Sequence, residues 1–250
     1  MPYAGFIWFL LTLLPLVLLQ RLLHREIQIT TLLITRNLQL TLSIFSILFF
    51  PGVVLHEASH FLMAKILRVK TGKFSVFPKP MKNGKLQMGY VEVEKTDFIR
   101  DSLIGLAPLI VGTLFIAYAG VVQLKLNTLW EAFQNGQMEL FWLGVGLLPN
   151  VPDFWLWFYL TFAVSSTMMP SESDRHAWLP LGVWTGLLFT LGVVSGFGNW
   201  MLENLAPFFD YLLSSVALLF GVSALVHLIL LLPFFVLHRL LVYFMRVDAQ

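Results

Sequence analysis

The sequence predicts an all-α polytopic membrane protein of about six transmembrane helices with a small cytoplasmic β-hairpin, and three observations predict it. Of its 250 residues, 58% are apolar and 12% charged, about half the charge an ordinary soluble domain carries. Mean hydropathy is +0.79. The apolar residues gather into six runs, roughly 5–20, 40–67, 98–122, 153–170, 177–197 and 211–236, and a helix needs about 20 such residues to cross the hydrocarbon layer.

The first run has no basic residue ahead of it and no small-residue cleavage pattern behind it, so it reads as a retained span and not a signal peptide. Segment 21–37 carries Arg21, Arg25 and Arg36 and reads as an interfacial amphipathic stretch. The second run contains Pro51-Gly52, which removes a backbone hydrogen bond and predicts a kink or break. Between the second and third runs lies the one substantial soluble segment, 70–97, where β-branched and aromatic residues flank Asn83-Gly84. That pair suits a type I′ turn and predicts the hairpin. With neither an internal repeat nor a Ser/Gly linker, residues 1–250 read as a single membrane-embedded domain.

Net charge is only +2, so the position of the charge matters more than its sum. From Lys65 to Asp101 there are nine basic residues against four acids, which places that segment in the cytoplasm by the positive-inside rule. The loops at 123–140 and 198–210 hold Lys125 against Glu131, Glu139, Glu203 and Asp210, which suits the outer side. His238, Arg239 and Arg246 then put the C-terminus inside, and six spans put the N-terminus there too. Arg21, Arg25 and Arg36 would lie outside, against the rule. Near-neutral charge gives no basis for a nucleic-acid partner, and the absence of cysteine excludes disulfides and thiolate metal sites.

The stretch "PGVVLHEASHFLM", 51–63, sets two histidines and a glutamate in the middle of an apolar run. An ionisable residue inside a span costs about 2.5–3.5 kcal/mol on insertion scales and marks a candidate site. The bland alternative is a polar cluster that glues helices together through hydrogen bonds. His56 and His60 are four residues apart, so a helix stacks them on one face, where two imidazoles can grip one metal ion. Glu57 is rotated round the helix, better placed to act as general base on a water than as a ligand. At 1.5 Å rise per residue, His60 lies about 7 Å and His56 about 14 Å from Lys65 along the helix, inside the bilayer near its cytoplasmic face. A catalytic zinc takes three protein ligands, and Glu172, Asp174 and His176, just beyond Pro170, are nearly equal candidates for the third by residue type.

These residues resemble the site-2 protease family of intramembrane zinc metalloproteases. That family carries HExxH on one core helix and, on a later one, Asn-x-x-Pro followed within a few residues by an Asp-Gly pair that supplies the third ligand. Here the first element is His56-Glu57-Ala58-Ser59-His60, and Thr167-Met168-Met169-Pro170 with Asp174 is similar to the second. "GLAPLIVG", Gly105 to Gly112, is similar to the small-residue and proline pattern of the family's middle helix. The resemblance covers about residues 40–180; it departs where Arg175 follows Asp174 and where Ser166 or Thr167 stands for the asparagine.

The resemblance implies a zinc-dependent endopeptidase in a multi-pass cell-membrane protein, a minimal form without extra soluble domains. Zn2+ would be held by His56, His60 and Asp174, with Glu57 catalytic and the hydroxyls of Ser166 and Thr167 as substrate contacts. The substrate would be another membrane protein, single-span ones foremost, cut within or near its transmembrane segment. Its helix must unwind locally, because helical peptide bonds are hydrogen-bonded within lipid, and hairpin 70–97 either pairs with the extended segment as an added strand or serves as a polar cap. Pro51-Gly52 and Gly105/Pro108 would give water and substrate access to the metal, and His227 reads as a hydrogen-bonded packing residue. Two other readings stand beside this one. A catalytically silent relative that binds membrane segments is disfavoured by retention of Glu57, and a metal-ion transporter by the scarcity of ionisable residues in the spans beyond His56, Glu57, His60 and His227.

Overall fold

Long apolar runs become long helices even across the interior prolines Pro15, Pro51, Pro108, Pro207 and Pro233, and the computed structural model, which describes residues 4–80, 86–176 and 178–245, is built from them. Helix α1 spans Ala4–Thr35 and α2 spans Leu38–Ile66. They meet at a tight turn: Arg36 adopts φ 50°, and the Asn37 side chain caps α2 by accepting from the amides of Gln39 and Leu40 at 2.9 and 3.2 Å. Leu23 and Ile27 of α1 pack with Phe45, Phe49 and Val53 of α2, so the two helices run antiparallel.

Four strands follow: β1 Thr71–Ser75, β2 Lys79–Pro80, β3 Leu86–Gln87 and β4 Tyr90–Val93. They form two antiparallel pairs, β1 with β4 and β2 with β3. The predicted hairpin is therefore two nested ladders, and its Asn83-Gly84 turn lies outside the described residues. Nor does the segment simply hang below the helices. Phe74 meets Phe61 at 5.8 Å between ring centroids and Phe77 meets Phe50 at 6.3 Å, so β1 and the loop after it climb along α2 past the level of the histidines.

Helix α3 spans Phe98–Tyr118, capped by the Asp97 carboxylate on the amides of Ile99 and Arg100, and continues as a π-turn to Gln123. Two short helices, α4 Leu126–Gln134 and α5 Met138–Leu147, occupy what read as an outer loop, and Phe133 of α4 meets Phe141 of α5. Helix α6 spans Phe154–Thr167, α7 Trp178–Gly192 and α8 Gly198–Met245. The core is formed where α1, α2, α6 and α8 meet around Leu23, Phe49, Phe162 and Val226, with a second cluster of Leu16, Ile116, Met168 and Phe220.

Among the described residues, four helical stretches are long and apolar enough to cross a membrane: Ala4–Thr35, Leu38–Ile66, Phe98–Gln123 and Trp178–Met245. The expected six are corrected for two physical reasons. The run at 153–170 becomes the 14-residue α6, about 21 Å long against a hydrocarbon core of about 30 Å. The runs at 177–197 and 211–236 fall on α7 and α8, which join without a loop through a kink where Gly196 takes φ 85°, so that they make up one apolar stretch, Trp178–Met245. Segment 21–37 is also corrected: it is the second half of α1, with Leu23, Glu26, Ile27 and Thr30 buried, and not a separate interfacial helix.

The shared inner position of the two termini is overturned as well. Gly5 donates its amide to Asp210 at 2.7 Å, Phe9 packs on Phe220, and Glu26 pairs with His238, so α1 and α8 run parallel. Ala4, Asp210 and the Ile66 end of α2 lie at one end of the bundle; Thr35 and Met245 lie at the other. Charge counting failed here in part because His238 answers to Glu26 within the bundle, not to the side of a membrane.

Candidate metal centre

His56 and His60 both point from α2 into the space between α3 and the chain beyond α6. Each is oriented by a carbonyl that helix geometry leaves free. His56 Nδ1 lies 2.7 Å from the Thr167 carbonyl oxygen, which belongs to the last turn of α6, where carbonyls have no partner four residues on. His60 Nδ1 lies 2.8 Å from the Ile104 carbonyl oxygen. In a regular helix that oxygen would accept from residue 108, but residue 108 is proline and has no N–H.

A ring nitrogen facing a carbonyl must carry a proton, so the neutral tautomer of each ring would present its Nε2 lone pair to the other. The two Nε2 atoms lie 3.1 Å apart. Two lone pairs held this close need a positive charge between them, a proton or a metal ion. Asp174 completes the group, with Oδ1 at 3.4 Å from His60 Nε2 and Oδ2 at 3.8 Å from His56 Nε2. All three ligand atoms lie within 4.8 Å of one another. Ligands at about 2.0–2.2 Å in a tetrahedron stand roughly 3.3–3.5 Å apart, so the spacing fits one ion. Backbone-bonded Nδ1–H groups are the outer-shell support that metal-ligating histidines ordinarily carry.

Asp174 gets there because its loop is pinned. The Ser171 amide and hydroxyl donate to Asp174 Oδ2 at 2.7 and 2.6 Å, leaving Oδ1 toward the histidines. The Asp174 backbone rests on Gly105, where any Cβ would overlap the Asp174 carbonyl oxygen. His176 Nε2 pairs with Asp101 Oδ2 on the first turn of α3. Among the three candidates for the third position, the structure thus brings Asp174 to the histidines, ties His176 to Asp101, and leaves Glu172 exposed.

Glu57 is buried beside the pair and within electrostatic range of Asp174. Above it passes Gly89, between β3 and β4. A Cβ there would stand 2.7 Å from Glu57 Cγ, 2.9 Å from Oε1 and 3.0 Å from a Val53 methyl group. The backbone of the soluble segment is therefore laid directly on the glutamate.

The two hydroxyls expected to meet substrate point elsewhere. Ser166 is buried and its Oγ lies 2.9 Å from His227 Nε2, while His227 Nδ1 bonds the Ser223 carbonyl. Ser166 is thus a bundle contact, for the physical reason that the helical turn after Ala163 aims it at α8. Thr167 turns its hydroxyl back on the Ala163 and Val164 carbonyls, and reaches the site through its own carbonyl instead. Gly52, expected to loosen α2, packs it against α6: a Cβ there would overlap the Ala163 carbonyl oxygen, and α2 passes through Pro51 unbroken.

Sequence reasoning missed Gly89, Ser171 and Asp101, and gave Gly105 and Pro108 the wrong task. For Pro108 a signal existed, since a proline four residues after Ile104 frees that carbonyl. Nothing in residue type announces the others. Comparison of the chain with protein-family models, curated proteins and solved structures gives no match.

Proposed function

We propose that this chain is an intramembrane zinc metalloprotease resembling the site-2 protease family, hydrolysing peptide bonds within or near the transmembrane segment of membrane-protein substrates. One observation carries the reading: two imidazole nitrogens and a carboxylate converge within 4.8 Å, with Glu57 buried beside them. A polar cluster serving only to join helices has no need to bring three ligand-type atoms to one point, whereas His56 Nε2, His60 Nε2 and the Asp174 carboxylate converge on one.

The donor set of two imidazoles and one carboxylate suits zinc and leaves a fourth position open. When bound, zinc supplies a Lewis acid that brings the pKa of water down to about 7 and polarises a carbonyl. The chain's own groups do the rest. His56 and His60 hold their Nε2 lone pairs inward through the Thr167 and Ile104 carbonyls. Glu57 takes a proton from water as the oxygen adds to the carbonyl carbon, and returns it to the amide nitrogen as the C–N bond breaks.

The site lies toward the end of the bundle that carries the basic segment Lys65–Asp101, which the positive-inside rule assigns to the cytoplasm in a multi-pass cell-membrane protein. Strands β1 and β4 run along α2 at the level of the site, where an unwound substrate, single-span foremost, can pair with a free strand edge.

The test compares membrane proteomes of cells carrying the wild-type chain and Glu57→Gln. Fragments ending within a transmembrane segment should form only with the wild type, while both proteins bind one zinc. Equal fragment yields from both would remove the glutamate from the mechanism and the protease reading with it.

A further inference from the structure

Three arginines on α1 and α8 have no part in the metal centre. Arg21, Arg25 and Arg239 are exposed on long apolar helices, and among the described residues no carboxylate pairs with any of them. The one acid nearby in sequence, Glu26, is buried and already bonded to His238.

That buried pair fixes how the arginines face. Glu26 and His238 point at each other across two parallel helices, Arg25 precedes the one and Arg239 follows the other. A helix turns by about 100° per residue, so on parallel helices the residue before one contact and the residue after its partner fall on the same side of the seam. Arg21, one turn before Arg25, falls there too. Leu18, Leu22 and Phe235 share that side and are exposed, and the Arg239 guanidinium lies 5.0 Å from the Phe235 ring centroid. Arg21 stands about 26 Å along α1 from Ala4, close to the thickness of a hydrocarbon core.

We infer that Arg21, Arg25 and Arg239 form a binding site for the phosphate of an anionic phospholipid at the α1–α8 seam, a function separate from the proposed protease chemistry. Guanidinium groups amid lipid-facing leucine and phenylalanine side chains need an anion, and planar guanidinium forks match phosphate oxygens. The acyl chains lie on the apolar side chains below, and the headgroup bridges the two helices. A free phosphate ion offers the same oxygens without the chains. The exposed apolar residues beside the arginines favour the lipid.

The experiment is native mass spectrometry of the purified protein offered equal phosphatidylglycerol and phosphatidylcholine. The wild type should retain phosphatidylglycerol preferentially, and each Arg→Gln change should weaken that retention about fivefold, roughly a hundredfold for all three. Arg25→Gln and Arg239→Gln alone leave the Glu26–His238 pair intact and decide the matter if the triple variant does not fold. Equal retention of both lipids, unchanged retention by those variants, or displacement of the lipid by millimolar inorganic phosphate would each overturn the lipid assignment.

Discussion

Pro108 and His60 are linked through one atom, the Ile104 carbonyl oxygen, which the proline cannot engage and which the His60 Nδ1 approaches at 2.8 Å. A helix-breaking residue inside an apolar helix thus becomes a means of aiming an imidazole. Pro108→Ala would restore an N–H at position 108 and set it in competition with the histidine. Zinc affinity should fall about 10- to 100-fold, the usual effect of losing outer-shell support, while thermal stability holds or rises because an interior proline is removed. Chelator competition and a melting curve on the same preparation read the two effects separately. A variant that binds zinc as tightly as the wild type would show that the shared carbonyl does not orient His60.

The third ligand is decided by metal content. Asp174→Ala should strip the bound zinc, because Oδ1 of that residue faces His60 Nε2 at 3.4 Å. Glu172→Ala should retain it in full, since that side chain is exposed and apart from the group. His176→Ala loses only a surface pairing to Asp101, and such pairs contribute about 0–1 kcal/mol, so zinc should remain with at most about a fivefold weaker affinity. Gly105→Ala is the sharper probe. Its methyl group would displace the Asp174 backbone, and zinc should be lost although every ligand is still present.

Ser166→Ala separates a packing role from a substrate role. Its hydroxyl is buried against His227 Nε2, and leaving that nitrogen unpaired costs about 1–3 kcal/mol. The melting temperature should drop while zinc content and cleavage of any substrate stay as in the wild type. A raised KM at unchanged stability would return Ser166 to the substrate-contact role expected from its place in the sequence.

The all-helical character, the placement of His56, Glu57 and His60 on one helix, and the strand-forming nature of 70–97 were legible because each is a local property: hydropathy, a four-residue spacing, a run of β-branched and aromatic residues. Other features depend on what arrives from elsewhere in the chain. Glu26 falls in the segment read as interfacial and Gln20 at the end of the first apolar run, and only the parallel approach of α8 and the proximity of α6 bury them against His238 and the Ser165 carbonyl. Ser166 and Thr167 are neighbours of the same chemical kind, and a rotation of 100° sends one to α8 and the other back along α6. The span count failed because hydropathy cannot distinguish a crossing helix from a short one walled in by longer ones.

Gly89 supplies the last prediction. Its α-carbon passes so close to Glu57 that a methyl group would press on the Cγ at 2.7 Å and on Oε1 at 2.9 Å. The three atoms nearest that methyl group belong to Glu57 and Val53, not to the histidines or Asp174. Gly89→Ala should therefore leave zinc content and affinity unchanged and lower the cleavage rate about 100-fold, the scale expected when a reacting group is misplaced by about 1 Å. Purified protein and a transmembrane substrate peptide suffice for the measurement, with zinc quantified in the same sample. If zinc and rate fall together, the strand segment supports the whole centre; if neither changes, the Glu57 side chain has room to move aside, and the closeness of Gly89 has no bearing on the chemistry.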